Sequence, residues 1–171
     1  ERSAVMQQRV RDAGIPLIYV NQVGGQDELL FDGASMAMDR HGEVLVQAMQ
    51  YQEALIPVVV EMGAEPESET DAQVQIQPQV CSPLLTKEAE LYEALVLGLR
   101  DYVNKNRFKG VVLGLSGGID SALTLALAVD ALGKERVHAI MMPFTYTSKM
   151  SVEDAQQEAM TLGVAYRVIP I

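Results

Sequence analysis

The chain has 171 residues, 49% of them hydrophobic and 21% charged, which is enough to bury one core or parts of two, since a domain typically takes ~100–200 residues. A formal net charge of −10 opposes a polyanionic partner such as tRNA or DNA, whose binding wants a basic face, so small-molecule chemistry is expected and nucleic acid is not. No window reaches the ~18 consecutive apolar residues of a membrane span, because even Ala122 to Leu132 is interrupted by Thr124 and Asp130, and the one cysteine, Cys81, excludes an internal disulfide framework and fits a reducing cytoplasm.

From the first residue, ERSAVMQQRVRDAG reads as a helix with Val5, Met6, the stem of Arg9 and Val10 on one face. It is closed by Gly14 in the left-handed conformation that glycine adopts without penalty. PLIYVNQ is a buried strand. LLFDGASMAMD and EVLVQAM follow as strands joined by the hairpin-type turn Arg40-His41-Gly42. Asn21 to Glu28 and Asp32-Gly33 read as a buried, hydrogen-bonded turn. ALIPVVVEM is a further strand, in which Pro57 argues for an edge or a bulge. One helix followed by several strands predicts the tail of an α/β layered domain over residues 1–62.

The composition then shifts. EMGAEPESETDAQVQIQPQVCSP, from Glu61 to Pro83, carries five acidic residues, three prolines and no Lys or Arg. Such a stretch buries too little apolar area to offset its ordering entropy, so residues 63–83 are expected to be a mobile acidic linker. Cys81 falls inside it, with neither a strand before it nor a helix start after it to lower its pKa, and is not expected to be a nucleophile.

Beyond the linker, residues 84–171 form the second expected domain. Thr86 caps a helix reaching Asn106, with Leu91, Leu95, Leu99, Tyr102 and Val103 at helical spacing. Gly98 costs that helix up to about 1 kcal/mol relative to Ala and allows close packing. VVLGL is a strand, Ser121 to Leu132 a helix ended by Gly133, and RVHAIMMP a second strand, a βαβ unit whose strands run parallel with a right-handed crossover. Ser151 caps the next helix, VEDAQQEAMTLG, in an S-x-x-D arrangement, and VAYRVIPI is a third strand. The class is α/β, a doubly wound parallel sheet, whose ligands bind beyond the carboxyl ends of the strands.

That position belongs to Gly114, Leu115, Ser116, Gly117, Gly118, Ile119, Asp120 and Ser121. Paired glycines let backbone amides converge, two serines add hydroxyls, and the following helix offers free N–H groups with the positive end of its dipole. An anion such as phosphate is the natural guest. The loop does not fit the Walker pattern G-x-x-x-x-G-K-[ST], because Ile119 and Asp120 stand where its glycine and lysine belong, and it is not G-x-G-x-x-G. A carboxylate beside a polyphosphate repels it unless a cation lies between, which makes Asp120 a candidate Mg2+ ligand. The competing reading is a Gly-rich strand-to-helix turn in which Asp120 is a helix-terminal anion.

Ser116-Gly117-Gly118-Ile119-Asp120-Ser121 resembles the SGG-x-DS loop of the ATP pyrophosphatase superfamily, which grips the pyrophosphate leaving group during adenylation. Within that superfamily, Met142-Pro143-Phe144-Thr145-Tyr146-Thr147-Ser148 and Ser151-Val152-Glu153-Asp154-Ala155 are similar to the MP-x-x-Y-(T/S)-S…S-x-(E/D)-DA stretch of NAD synthetases, and the helix from Glu90 to Tyr102 is similar to the segment entering their synthetase domain. Tyr19 to Glu28 and Phe31 to Ser35 resemble the late part of the nitrilase-like glutaminase domain of glutamine-dependent NAD synthetases.

The resemblance implies ATP-dependent amidation of nicotinic acid adenine dinucleotide (deamido-NAD) to NAD through an acyl adenylate, with ammonia drawn from glutamine. ATP and Mg2+ are implied as substrate and cation, Leu115 and Met142 to Phe144 as candidates for the adenine pocket, with core packing the alternative for Met142, and a cytoplasmic homo-oligomer as the assembly. Tyr146, Thr147 and Ser148 are candidates for lining the site, with helix capping the alternative for Ser148 and Ser151. Asn21 to Glu28 and Asp32-Gly33 either border the glutamine site or a subunit contact, or simply stitch the layers. The sequence begins at Glu1 and stops within the apolar run Val168 to Ile171, and is read as an internal fragment lacking the glutaminase triad and inactive alone. The rival readings are another amidotransferase of the superfamily, such as GMP synthetase, and a nucleotide-binding module without chemistry.

Overall fold

A computed structural model describes residues 2–62, 74–79 and 81–171. By internal contacts the chain divides into one unit of Glu1–Gly24 with Phe31–Glu90, and a second of Gly25–Leu30 with Leu91–Ile171.

In the first unit, helix α1 (Arg2–Ala13) buries Val10 and ends as predicted, with the Gly14 N–H donating to the Val10 carbonyl at 2.8 Å. Strand β1 (Leu17–Tyr19) follows, then β2 (Val23–Gln26) and β3 (Leu29–Asp32), whose Gly25–Leu30 portion falls in the second unit, and β4 (Met36–Met38) and β5 (Val44–Gln47). An antiparallel sheet runs β1-β4-β5, with Ile18 opposite Ala37 and Ala37 opposite Val46. Alternation along β4 serves two cores: Met36 and Met38 join Val10, while Ala37 joins Val46 and Ile76. The predicted turn at Arg40-His41-Gly42 is held by the Asp39 carboxylate, which accepts from the N–H groups of His41 and Glu43 at 2.9 and 2.8 Å.

Two expectations are corrected here. Of ALIPVVVEM only β6 (Val60–Met62) is a strand, and Pro57 lies in irregular chain. Part of the expected linker is ordered, because β7 (Val74–Ile76) pairs antiparallel with β6 and buries Ile76 to 5% exposure. Val74-Gln75-Ile76 is a short apolar alternation that the acidic composition around it concealed. The linker reading for 63–73 and Val80 falls outside the described residues.

Helix α2 (Lys87–Lys105) carries its expected cap, with the Ala89 N–H donating to Thr86 Oγ1 at 3.3 Å. The second unit explains the glycine within it. Gly98 faces Leu30, whose Cδ2 would lie 3.4 Å from a Cβ placed there. Beside it, the Gly25 N–H donates to Asp101 Oδ2 at 2.8 Å and the Lys105 ammonium donates to the Gly25 carbonyl.

The rest of this unit is β8 (Val111–Gly114), α3 (Ile119–Leu132), β9 (Val137–Met141), α4 (Lys149–Leu162) and β10 (Ala165–Val168). The strands are parallel in the order β10-β9-β8, so the predicted βαβ unit is present and α/β class follows. One core unites Val96 and Val103 of α2, Leu125, Ala128 and Ala131 of α3, Ala155 and Ala159 of α4, and Val137, Ala139 and Met141 of β9. Val112 and His138, partners in register, stand exposed on the other face.

The Tyr92 hydroxyl donates to Asp130 Oδ2 at 2.6 Å, joining α2 to α3. That hydrogen bond, then partial burial, then the charge of Asp130 push the phenol up to about 12 from 10.0. The protonated form is the one favoured in the fold, so whatever stability the contact gives is present below pH 10 and is lost as pH rises through about 12. Tyrosinate absorbance should show a late-ionising phenol that Asp130→Asn brings back toward 10; an unchanged titration in that variant would contradict the assignment.

Candidate functional site

The loop between β8 and α3 lies at the carboxyl end of the parallel sheet, as the topology requires. Its first residue inward is an anchor. Leu115 is 1% exposed and belongs to the core of the second unit, while its N–H donates to the Ile140 carbonyl at 2.8 Å and extends the β8–β9 ladder by one step. The side chain of Leu115, a sequence candidate for the adenine pocket, packs in the sheet's own core, where an apolar residue following a strand is drawn.

Serines then organise the turn. The Ser116 N–H donates to Ser121 Oγ at 3.1 Å, the two hydroxyl oxygens lie 3.0 Å apart, the Gly118 N–H donates to Ser116 Oγ at 3.2 Å, and the Ser121 hydroxyl donates to the Gly118 carbonyl at 2.9 Å. Two of the amides expected to face a ligand are thus engaged within the loop. The helix start is different: Gly118 is the N-cap with no side-chain cap, and the ladder opens with the Ala122 N–H donating to the Gly118 carbonyl at 3.1 Å. The amides of Ile119, Asp120 and Ser121 precede that first ladder bond, and they sit at the positive end of a fourteen-residue helix.

Gly117 has φ +77, a left-handed value. A Cβ there would fall 2.1 Å from the carbonyl oxygen of Ser151 and 2.8 Å from its carbonyl carbon. Only glycine fits, because the obstructing atoms are main chain and cannot swing aside. Gly118 is less constrained, at φ −97 with Ser116 Oγ 3.4 Å from where a Cβ would stand.

Around this loop stand the residues that follow β9. Met142 covers Gly114, its Cε 3.4 Å from where a Gly114 Cβ would be, and is 49% exposed. Phe144 and Tyr146 form an exposed aromatic pair with centroids 5.7 Å apart. Helix α4 starts one turn earlier than expected. Its N-cap is Ser148, whose Oγ accepts from the Ser151 N–H at 3.0 Å, so Ser151 is the third residue of the helix and not its cap. The sequence offers S-K-M-S followed by S-V-E-D, two overlapping caps, and the earlier one prevails because Lys149 and Met150 are good helix formers.

Asp120 is exposed in the first turn of α3. Among the described residues no group of three or more His, Cys, Asp or Glu side chains is arranged to hold a metal ion. In the first unit, Asp32 accepts both guanidinium nitrogens of Arg2 at 2.7 and 2.6 Å, and Asn21 Nδ2 donates to Asp32 Oδ1 and to the Gly33 carbonyl, each at 2.9 Å. These are the bonds of a stitched turn. Cys81 is exposed and its thiol donates to the Val44 carbonyl at 3.7 Å. His41 sits in the β4–β5 turn, and His138 lies on β9 in register with Val112.

With the geometry in place, comparison with known proteins agrees on both halves. The family model for NAD synthase matches residues 91–171, and that for carbon-nitrogen hydrolase matches residues 1–67. The glutamine-dependent NAD(+) synthetase of Acinetobacter baylyi is 47% identical over 161 residues, 94% of this chain and 28% of that protein. The Thermotoga maritima protein of the same name is 39% identical over 194 aligned residues, 99% of this chain and 34% of its own length. A solved glutamine-dependent NAD+ synthetase from Acinetobacter baumannii, in complex with adenosine diphosphate, superposes with a TM-score of 0.87 at 45% identity, covering 99% of this chain and 31% of that one. The chain therefore spans about a third or less of the length of these relatives.

Proposed function

Residues 91–171 of this chain belong to the NAD synthase family and residues 1–67 to the carbon-nitrogen hydrolase family, in register with glutamine-dependent NAD(+) synthetases, and from that premise we propose that the whole protein amidates deamido-NAD to NAD at the expense of ATP. The observation carrying the reading is the start of α3, uncapped by any side chain and preceded by a serine-tied turn that forces Gly117 into a left-handed conformation.

In that reaction the substrate carboxylate attacks the α-phosphorus of ATP, the bond to the bridging oxygen breaks, and pyrophosphate departs. Ammonia then displaces AMP from the acyl adenylate. Charge builds on the leaving group, and donors already in place stabilise it most, by up to several kcal/mol. The amides of Ile119, Asp120 and Ser121 are such donors, the helix dipole adds to them, and the hydroxyls of Ser116 and Ser121 exchange their mutual contact for phosphate oxygens. Met142, over Gly114, offers an apolar wall for the adenine, with Phe144 and Tyr146 nearby in sequence.

Mg2+ fits the donor set in one way. An exposed carboxylate that belongs to no group of three or more metal-ligating side chains among the described residues suits a cation held by one or two carboxylates plus substrate phosphates and water. Asp120 is the residue that would hold it, and the bound ion would neutralise charge on the departing pyrophosphate. Glutamine supplies the ammonia through the other half of the protein. A cytoplasmic homo-oligomer, with glutaminase and synthetase domains at 1–62 and 84–171, belongs to the same proposal. Among the described residues no helix is long and apolar enough to cross a membrane.

The test is pyrophosphate release by the whole protein. It is expected only when ATP, Mg2+ and deamido-NAD are present together, with either glutamine or ammonia completing the turnover. Equal release driven by xanthosine monophosphate would overturn the substrate assignment.

A further inference from the structure

We propose that Ser148 is a positioning residue for the nucleotide loop, acting through the first turn of α4; the proposal rests on the reading of Gly114 to Ser121 as the ATP site. Three observations connect the two loops. Gly117 meets the main chain of Ser151 so closely that a Cβ would fall 2.1 Å from its carbonyl oxygen. The position of that carbonyl is set by Ser148, whose Oγ accepts from the Ser151 N–H at 3.0 Å and lies 2.8 Å from Ser151 Oγ, while its carbonyl accepts from the Val152 N–H at 3.3 Å. Ser148 in turn follows a closed turn in which the Thr147 N–H donates to the Phe144 carbonyl and the Phe144 N–H donates to Thr147 Oγ1, each at 2.9 Å.

The phosphate-binding turn thus leans on a strut made by the residues after β9. Backbone faces backbone at Gly117, so the seat that the turn occupies at a φ of +77 is shaped by the first turn of α4. The Ser148 hydroxyl makes both of its contacts with Ser151, so its part in the site is to support the loop through the first turn of α4. An uncapped helix frays in its first turn. A frayed α4 leaves the seat beneath Gly117 unformed, and ATP must then bind a loop that is assembled in only a fraction of molecules, so affinity falls by that fraction.

The experiment measures ATP affinity and pyrophosphate release in the whole protein for wild type, Ser148→Ala, Ser148→Thr and Ser148→Asn, with Asp120→Ala as a control on the site itself. Loss of a cap corresponds to about a five- to tenfold effect. Ser148→Ala is therefore expected to raise the ATP Kd and KM by up to about that factor while kcat stays within about twofold, because a loop that has bound ATP is fully assembled. Threonine and asparagine both cap helices and should restore affinity to within about twofold of wild type. A merely structural role lowers the melting temperature of Ser148→Ala and leaves the ATP Kd unmoved well below that temperature. That result overturns the proposal, as does failure of both capping variants to restore binding. If wild type and Asp120→Ala respond identically to ATP and Mg2+, the nucleotide-site reading itself is lost; if they differ and Ser148→Ala matches wild type, only the strut is lost.

Discussion

Gly117→Ala is expected to abolish measurable ATP binding by the whole protein while its circular dichroism stays close to wild type. Two costs arise at one position. The left-handed φ of +77 costs a residue with a Cβ roughly 1–2 kcal/mol, and the new methyl would sit 2.1 Å from the Ser151 carbonyl oxygen. The first cost alone weakens the loop; the second forces either the turn to flip or α4 to retreat. A flip breaks the contacts of Ser116 and Ser121 with Gly118 that hold the turn over the helix start, and a retreat of α4 removes the Ser151 main chain against which the turn is seated. Gly118→Ala is the internal comparison. Its backbone has φ −97, and its methyl would meet only the movable Ser116 Oγ at 3.4 Å, so its effect on ATP affinity is expected to stay below about threefold. Calorimetric titration of the two variants side by side decides the matter. If Gly117→Ala binds ATP as well as Gly118→Ala, the loop does not bind nucleotide in the conformation described.

What the sequence made legible here was periodic or local. The apolar run before Ser116 and the helical spacing after it identify a strand, a turn and a helix, and a parallel pair then follows from chain connectivity alone. Thr86 as a cap and Gly14 as a terminator were also readable, since each acts on its own neighbours. The exceptions depended on distant partners. Val23 to Gln26 looked like part of a turn because two glycines interrupt its alternation, yet it pairs with β3 as a hairpin closed at Asp27. Val74 to Ile76 looked like linker because its strand partner lies on the far side of an acidic stretch. The serine motif located the turn between β8 and α3 but not its tension. No local pattern reveals that Gly117 is glycine on account of Ser151, and a second S-x-x-S signal at Ser148 was needed to place that residue correctly.

Asp120 provides the second large effect, and its sign is the informative aspect. As a carboxylate in the first turn of α3 it steadies the helix by about 0.3–1 kcal/mol through the dipole, so Asp120→Asn should lower thermal stability only slightly. Facing a polyphosphate, the same charge is repulsive, and a pair of unit charges about 4 Å apart near a protein surface interacts by roughly 4 kcal/mol at most before screening. Asp120→Asn is therefore expected to bind ATP as well as or better than wild type when Mg2+ is chelated. With Mg2+ present the order reverses, because the variant lacks the ligand that lets the cation bridge protein and phosphate. Pyrophosphate release with saturating deamido-NAD should fall by about 100-fold or more, the range seen when a group stabilising transition-state charge is removed. A role confined to capping the helix predicts no such reversal: affinity would then change by the same factor with and without the cation, and Asp120 would be a helix-terminal anion and nothing else.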